Sequence, residues 1–439
     1  MKSLFKHKLA TEYILCVILL LVYIAIGLFF SSSNLKGDEP RYLNYAQNLL
    51  QGFYSPPAPN IDLWSGPGYP LFLSILLWFN VPIYYLKVFN AIFWLLSVVF
   101  VYKSLVILEV SRKTRLLTCA WMAFGFPYYL YYITQLLTES FSIFLISLFV
   151  YTLIKVSQKN SNRIALLIPA FIFAFLALTK IIFAYVLVAL LIILFVYYIF
   201  NNKIKNYFFI FLFALLFTIP YQLYTFNLTG KIFYWGNSGG LSMYWMTSPY
   251  VDELGDWYKS DAWNKRIINN SKDNSFKKKL ILARNETMAK NHAKFFNSLK
   301  DLYPIETDIA LKQKAIENTI NHPKKFIKNL FANAGRLFFH YPYSYRDQTI
   351  NTYLVLIPGV ILYIMFSISL MASLKFIRDI PFELLVVLAL SVVYIGGSLL
   401  LSAYARFFIP VLPIWLIYVA FNFDRFIEIK FYKKARFKR

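Results

Sequence analysis

Ten stretches of the 439-residue sequence are apolar over the length needed to cross a lipid bilayer. A hydrocarbon core of about 30 Å is spanned by about 20 residues of helix. In lipid an isolated run must form a helix, because an open strand would leave backbone groups unpaired. The composition agrees, with 59% hydrophobic residues and a mean hydropathy of +0.54. We therefore predict an all-α polytopic membrane protein with about ten transmembrane helices, near 13–30, 84–106, 116–133, 136–154, 164–180, 182–200, 206–226, 350–373, 382–401 and 404–422.

The charges of the short loops predict the orientation. Lys and Arg cluster at the N-terminus, in alternate short loops and in the tail 430–439, whereas the loops between them carry little charge. Positively charged short loops stay in the cytoplasm. The first run follows Lys2, Lys6 and Lys8 as a signal peptide would, but Ser31-Ser32-Ser33 is a poor cleavage site. We predict a multi-pass protein of the cell membrane with an uncleaved first span and both termini cytoplasmic.

Two long segments then face the outside. In the first, 31–83, the apolar stretch 69–79 is too short to span and is flanked by prolines, which indicates an interfacial or re-entrant helix. In the second, 227–349, a Gly- and Trp-rich start leads into charged sequence with one helix at Ile309–Ile320 and another beginning at Pro323. The predicted regions are an N-terminal transmembrane core (1–226, with the candidate site in 31–83), a helix-rich extracytoplasmic domain (227–349), and C-terminal helices with a basic tail (350–439).

The composition excludes several functions. The net charge of +24 sits mostly beside apolar spans, which favours anionic lipid headgroups over nucleic acid. Cys16 and Cys119 lie inside apolar runs and form no disulfide framework. The four histidines lack metal-ligand spacing, and no phosphate-binding Gly-Lys-Ser/Thr loop occurs. We predict neither a nucleic-acid partner nor a resident metal or other cofactor.

The most informative motif, Gly37-Asp38-Glu39-Pro40-Arg41-Tyr42, follows the first span directly. Apolar residues then recur at helical spacing, while Asn44, Gln47, Asn48 and Gln51 take other faces, which predicts an amphipathic helix on the membrane surface. Two carboxylates and a guanidinium are thereby brought to the lipid-water boundary. The simpler interpretation is that Asp38 or Glu39 caps the helix and that Arg41 binds headgroups. A cap needs only one carboxylate, however.

Further charged candidates fall on the same predicted side. Glu139 lies near the outer end of the fourth span, where a carboxylate is costly and by default functional, although it could snorkel to the interface. Arg406 lies at the outer start of the last span and suits a phosphate, or serves as an interfacial anchor. Lys180 and Arg346 add positive charge. These groups fit transfer of a sugar from a polyprenyl phosphate: a carboxylate general base deprotonates the acceptor, and cations stabilise the departing phosphate.

At these residues the sequence resembles the GT-C superfamily of polyprenyl-phosphate-dependent glycosyltransferases, in particular the branch of the aminoarabinose transferase and the protein O-mannosyltransferases. The resemblance runs through Asp38–Tyr42, Trp64–Leu73, Leu137–Ser140 and Arg406–Pro413 and covers little of 227–349. It implies Asp38 as the catalytic aspartate with Glu39 beside it, and Glu139 as a second functional carboxylate. It implies Arg41 near the donor phosphate. The positive charges of Arg406, Lys180 and Arg346 on the same predicted side make these residues further candidates for binding that phosphate.

The sequence departs from the family pattern at one motif, and this departure concerns a metal site. Where the aminoarabinose transferase has Glu-Lys-Pro, with a metal-binding glutamate, Ser65-Gly66-Pro67 stands here. We therefore predict no metal of that kind. The sequence predicts an inverting glycosyltransferase acting on the extracytoplasmic face, with a lipid-linked sugar donor and a lipid, glycan or protein acceptor. The alternatives are a lipid or glycan transporter without covalent chemistry, and a ligase or polymerase that uses a diphosphate-linked oligosaccharide.

Overall fold

The structure is a computed structural model that describes residues 2–32, 34–158, 163–201, 204–258, 276–344 and 348–427. Helices make up 77% of the described residues, and no strand occurs in these ranges, which confirms the predicted all-α fold. The helices of eight or more residues are α1 (Lys2–Phe29), α2 (Glu39–Leu50), α3 (Gly68–Trp78), α4 (Val88–Ile107), α5 (Arg112–Phe124), α6 (Thr138–Gln158), α7 (Leu167–Thr179), α8 (Ile182–Phe200), α9 (Lys205–Phe217), α10 (Ile219–Thr229), α11 (Gly239–Met246), α12 (Phe276–Ser298), α13 (Pro304–Asn321), α14 (Pro323–Phe339), α15 (Ile350–Lys375), α16 (Phe382–Leu399) and α17 (Leu412–Phe426). Shorter helical turns are Ile83–Leu86, Pro127–Leu130, Tyr131–Thr134, Arg163–Leu166, Ile377–Asp379 and Ala405–Val411.

Seven helical segments in the described part of the chain are long and apolar enough to cross a membrane. An eighth span is possible if α9 and α10 count as one, since they meet at a bend of 42°. Pro220 lies at the start of α10, where its missing N–H interrupts the helical hydrogen bonds. The multi-pass membrane architecture is thus confirmed. The seven segments are Glu12–Phe29, Ile83–Ile107, Thr138–Gln158, Ile182–Phe200, Ile350–Lys375, Phe382–Leu399 and Ala405–Phe426.

Two of the ten predicted spans are not recovered as long helices. The run near 116–133 divides because α5 ends at Phe124. A Cβ at Gly125 would lie 2.5 Å from the Trp121 carbonyl oxygen, and Pro127 has no N–H to continue a helix. The run near 164–180 forms only the shorter apolar helix Ile164–Thr179. Hydropathy registers the apolar content of such runs but not the breaks within them.

The two long segments between spans contain the helices that the sequence predicts. In 31–83, α2 and the short apolar α3 pack against each other. Tyr45 and Ala46 of α2 are buried, so its apolar face packs against protein and its carboxamides face outward. In 227–349, α13 and α14 begin at Pro304 and Pro323, where proline is favoured because the first turn needs no backbone donor.

The centre of the bundle is formed by α6 and by the last span. The span windows of these two segments are 67% and 83% buried, whereas that of α1 is only 11% buried and lies at the periphery. Because α6 begins at Thr138 and the last span at Ala405, the charged residues next to these positions, Glu139 and Arg406, come together at one end of the bundle.

Candidate active site

A cavity of about 470 Å³ collects five of the predicted site residues: Asp38, Arg41, Glu139, Lys180 and Arg406 all line it. They come from four distant parts of the chain. Asp38 precedes α2 and Arg41 lies in its first turn, Glu139 is in the first turn of α6, Lys180 joins α7 to α8, and Arg406 begins the last span. The fold therefore brings these helix ends to a single site.

The five side chains form a continuous row of alternating charge. Arg41 Nη1 donates to Asp38 Oδ1 at 3.0 Å, and Arg406 Nη2 donates to Asp38 Oδ2 at 3.3 Å. Arg406 Nε lies 3.7 Å from Glu139 Oε1, to which Lys180 Nζ donates at 3.3 Å. Arg406 thus bridges the two carboxylates. Three cations face two carboxylates, so the row retains a net positive charge that suits a phosphate.

Burial separates the two carboxylates. The Glu139 side chain is 3% exposed and that of Lys180 is 13% exposed, whereas Asp38 and Arg41 are 34% and 32% exposed. Glu139 Oε2 is buried and has no hydrogen-bond partner among the described residues. Asp38 is therefore the carboxylate that an incoming molecule can reach, and Glu139 lies behind the cations.

The environment of the cavity shifts the pKa values of Lys180 and Tyr42. Burial lowers the pKa of Lys180, with a smaller contribution from the Arg406 charge, while Glu139 opposes both. Burial, together with the carboxylates of Asp38 and Glu139, raises the pKa of Tyr42 to about 12, so this phenol stays protonated at neutral pH.

Glu39 does not join this row, contrary to its predicted catalytic role. Its side chain is 1% exposed and faces Lys87, with the Lys87 Nζ atom 3.3 Å from its Oε1. It also accepts hydrogen bonds from the backbone N–H groups of Lys36 and Leu136. These contacts turn the Glu39 side chain towards Lys87 and Leu136, and Glu39 does not line the cavity that Asp38 lines. Glu39 anchors the start of α2 to the bundle.

The predicted phosphate-binding residue Arg346 lies outside the described residues. Another basic residue of the segment 227–349, Arg336, does not line the cavity. Arg336 is fully buried and donates to the backbone carbonyls of Leu254 and Pro342 and to the side chain of Asn333. Arg336 therefore holds the segment after α14 in place.

Aromatic residues form much of the cavity wall. The Arg41 guanidinium lies 4.8 Å from the ring centre of Trp64, and Lys180 Nζ lies 5.1 Å from that of Phe407. Such cation-π contacts hold a cation in place while leaving its donors available. The aromatic lining residues are Tyr42, Trp64, Tyr128, Tyr132, Trp257, His340, Tyr404 and Phe407.

The Ser65-Gly66-Pro67 departure has a steric cause in this fold. A Cβ on Gly66 would lie 2.1 Å from the Leu178 carbonyl oxygen, and one on Gly68 would lie 2.5 Å from Thr179 Oγ1. The loop therefore passes directly against the end of α7. This close approach places Ser65 and Gly66 beside Lys180 in the cavity wall.

The donor set here does not fit a metal site. In the described part of the chain no group of three or more His, Cys, Asp or Glu side chains is placed to hold a metal ion. Asp38 and Glu139 are both paired with Arg406, and a divalent ion would have to displace that guanidinium.

Comparison with known proteins gives a match at the level of the fold. No protein-family model and no curated protein sequence matches the chain. Its structure is similar to that of the archaeal oligosaccharyltransferase AglB from Archaeoglobus fulgidus, in complex with an inhibitory peptide and a dolichol-phosphate. The TM-score is 0.52 at 14% identity, over 95% of this chain and 51% of AglB. The apo form of the Archaeoglobus fulgidus oligosaccharyltransferase gives a TM-score of 0.50 at 14% identity, over 92% and 49%.

The chain thus spans about half the length of these neighbours. At this level of identity the likeness concerns the fold. It confirms the GT-C fold that the motifs around Asp38, Glu139 and Arg406 predicted.

Proposed function

We propose that this protein is an inverting membrane glycosyltransferase that moves a sugar from a polyprenyl-phosphate carrier to a lipid, glycan or protein acceptor. One observation carries the proposal: Asp38, Arg41, Glu139, Lys180 and Arg406 line a single cavity and form one row of ion pairs. Ion pairs that only stabilised the bundle would not need a cavity of about 470 Å³ in front of them.

In the proposed reaction Asp38 is the general base. Its carboxylate accepts the proton of an acceptor hydroxyl or amine while the acceptor oxygen or nitrogen attacks the anomeric carbon. The bond from that carbon to the phosphate oxygen breaks, and its electron pair leaves with the polyprenyl phosphate. Attack from the face opposite the leaving group inverts the anomeric configuration.

The cations are proposed to bind the phosphate before and after that step. Arg41 and Arg406 each have further N–H donors besides those that contact Asp38, and a guanidinium can hold a phosphate through two parallel hydrogen bonds. A bound phosphate would compete with Asp38 for these donors and so free a carboxylate oxygen to act as the base. Glu139 then keeps Arg406 and Lys180 in position, which makes it a positioning residue.

The donor and the location follow from the same geometry. The site is at helix ends next to a span, where the headgroup of a membrane-embedded carrier would reach it. By the loop charges this end faces the outside of the cell membrane, with both termini cytoplasmic. The fold neighbour AglB was solved with a dolichol-phosphate, which supports a lipid-phosphate donor here as well.

The ligase that uses a diphosphate carrier is the competing enzyme, since the fold neighbours are oligosaccharyltransferases. Purified protein in nanodiscs should be given radiolabelled hexoses and pentoses on polyprenyl monophosphate and on diphosphate carriers. We expect release of polyprenyl phosphate from monophosphate donors and a transferred sugar of inverted configuration. Turnover of diphosphate donors alone would favour the ligase. Passage of an intact lipid-linked sugar across a sealed bilayer, without cleavage, would favour the transporter.

A further inference from the structure

The exposed face of α2 carries a row of carboxamides that the proposed chemistry does not use. Asn44, Gln47, Asn48 and Gln51 are spaced three, one and three residues apart, so they share one side of the helix. All four line an open groove, which we call the amide groove. Asn44 and Gln47 are exposed, and neither side chain bonds to any other described residue. The groove therefore offers polar groups that are not needed for the fold.

The amide groove adjoins the active-site cavity. Arg41 lines both, and Gly37 and Pro40, which flank Asp38 closely, line the groove. Its opposite wall contains Asp62, whose Oδ1 accepts hydrogen bonds from Tyr45 Oη at 2.6 Å and from the Trp64 backbone N–H at 3.2 Å. A ligand in the groove would consequently end at the general base.

The chemistry of the groove selects among ligands. Each carboxamide offers both donors and an acceptor, as does each hydroxyl of a sugar. A surface for anionic headgroups would carry several Lys or Arg, but Arg41, next to the cavity, is the one cation among the described lining residues, and Asp62 balances its charge. A peptide would call for apolar side-chain pockets, whereas carboxamides form the largest part of this lining.

We propose that the amide groove binds a neutral oligosaccharide, which is the acceptor whose terminal hydroxyl Asp38 deprotonates. The role as acceptor rests on the proposed function. The binding of carbohydrate by the groove can be tested separately.

The test is saturation-transfer NMR on the full-length protein in nanodiscs, with maltotriose, cellotriose and chitotriose as probes. We expect at least one probe to bind and the variant Asn44→Ala/Gln47→Ala to weaken it by about ten-fold or more, as the loss of two hydrogen bonds implies. The matched control is Asn297→Ala/Gln313→Ala, which removes one exposed Asn and one exposed Gln from α12 and α13. It should bind as the wild type does.

Three results would overturn the inference: no probe binding above empty nanodiscs, equal binding by Asn44→Ala/Gln47→Ala, or a groove-dependent preference for an unstructured peptide such as Gly-Ser-Gly-Thr-Gly over all three sugars. The variant Asp38→Asn separates this inference from the proposed function. If that variant still transfers sugar, the assigned base is wrong, but groove-dependent carbohydrate binding would stand. If transfer depends on Asp38 while the groove variant binds like the wild type, the groove inference fails and the proposed function stands.

Discussion

Replacing Glu39 by Gln tests whether this carboxylate is structural, as its surroundings indicate, or catalytic. Glu39 and Lys87 are 1% and 2% exposed, and their charged atoms are 3.3 Å apart. Removing one partner of such a buried pair costs about 3–5 kcal/mol, because the other charge stays buried without compensation. Gln has one acceptor oxygen where Glu has two, so one of the hydrogen bonds that Glu39 accepts from the backbone N–H groups of Lys36 and Leu136 would also be lost.

A loss of about 3 kcal/mol raises the unfolded-to-folded ratio by roughly 10². We expect Glu39→Gln to lower the unfolding midpoint in detergent, followed by tryptophan fluorescence, and to lower activity through displacement of α2. Glu39→Gln/Lys87→Met removes both charges and should recover most of the stability and activity. Glu317→Gln, which breaks an exposed pair with Lys314, should change stability by less than about 1 kcal/mol.

One combination of stability and activity would refute the structural role of Glu39. If Glu39→Gln unfolds like the wild type but has no transferase activity, and the double variant is equally inactive, then Glu39 acts in the chemistry. The assignment of Glu39 as an anchor would then be wrong.

Three further predictions concern the loop at Gly66, the cation Lys180 and the segment 227–349. Gly66→Ala forces the loop away from the end of α7 and should reduce the initial rate of sugar transfer in nanodiscs at least ten-fold. The control Gly396→Ala, which has open space around its Cβ, should leave that rate unchanged. Burial lowers the pKa of Lys180, so its charge is lost at a lower pH than that of an ordinary lysine. The alkaline limb of the pH–rate profile should therefore move to higher pH in Lys180→Arg. An unmoved limb would exclude Lys180 as the group that titrates there. Burial of Glu253 opposes ionisation, but hydrogen bonds, chiefly from His292, lower its pKa below the usual 4.5. The stability that the Glu253 carboxylate contributes is therefore present above pH 4.5 and is lost as the pH falls below that value. Acid titration followed by hydrogen exchange should show this loss in the wild type and not in Glu253→Gln.

Much of this fold follows from sequence because its determinants are local. Pro304 and Pro323 begin helices where proline is favoured in a first turn, and the long apolar runs become spans. The break at Gly125 was missed because it depends on backbone geometry within a run that is apolar throughout. Hydropathy averages over such features.

The site residues could be predicted from the sequence because a charged side chain near lipid is costly and indicates a function. Asp38, Glu139, Lys180 and Arg406 were singled out separately, and their meeting in one cavity depends on long-range packing that no local pattern contains. Glu39 was grouped with Asp38 because adjacent carboxylates in a sequence look equivalent. Its tertiary partners, Lys87 and the backbone N–H groups of Lys36 and Leu136, distinguish this buried carboxylate from Asp38.

The most direct test of sugar transfer by Asp38 is the rate of polyprenyl phosphate release from a monophosphate-linked sugar in nanodiscs. Asp38→Asn should reduce this rate by at least about 10², the contribution typical of a general base, while its unfolding midpoint stays near that of the wild type. Asp301→Asn, a change at an exposed aspartate between α12 and α13, should release polyprenyl phosphate at the wild-type rate. Wild-type release by a folded Asp38→Asn protein would contradict the account.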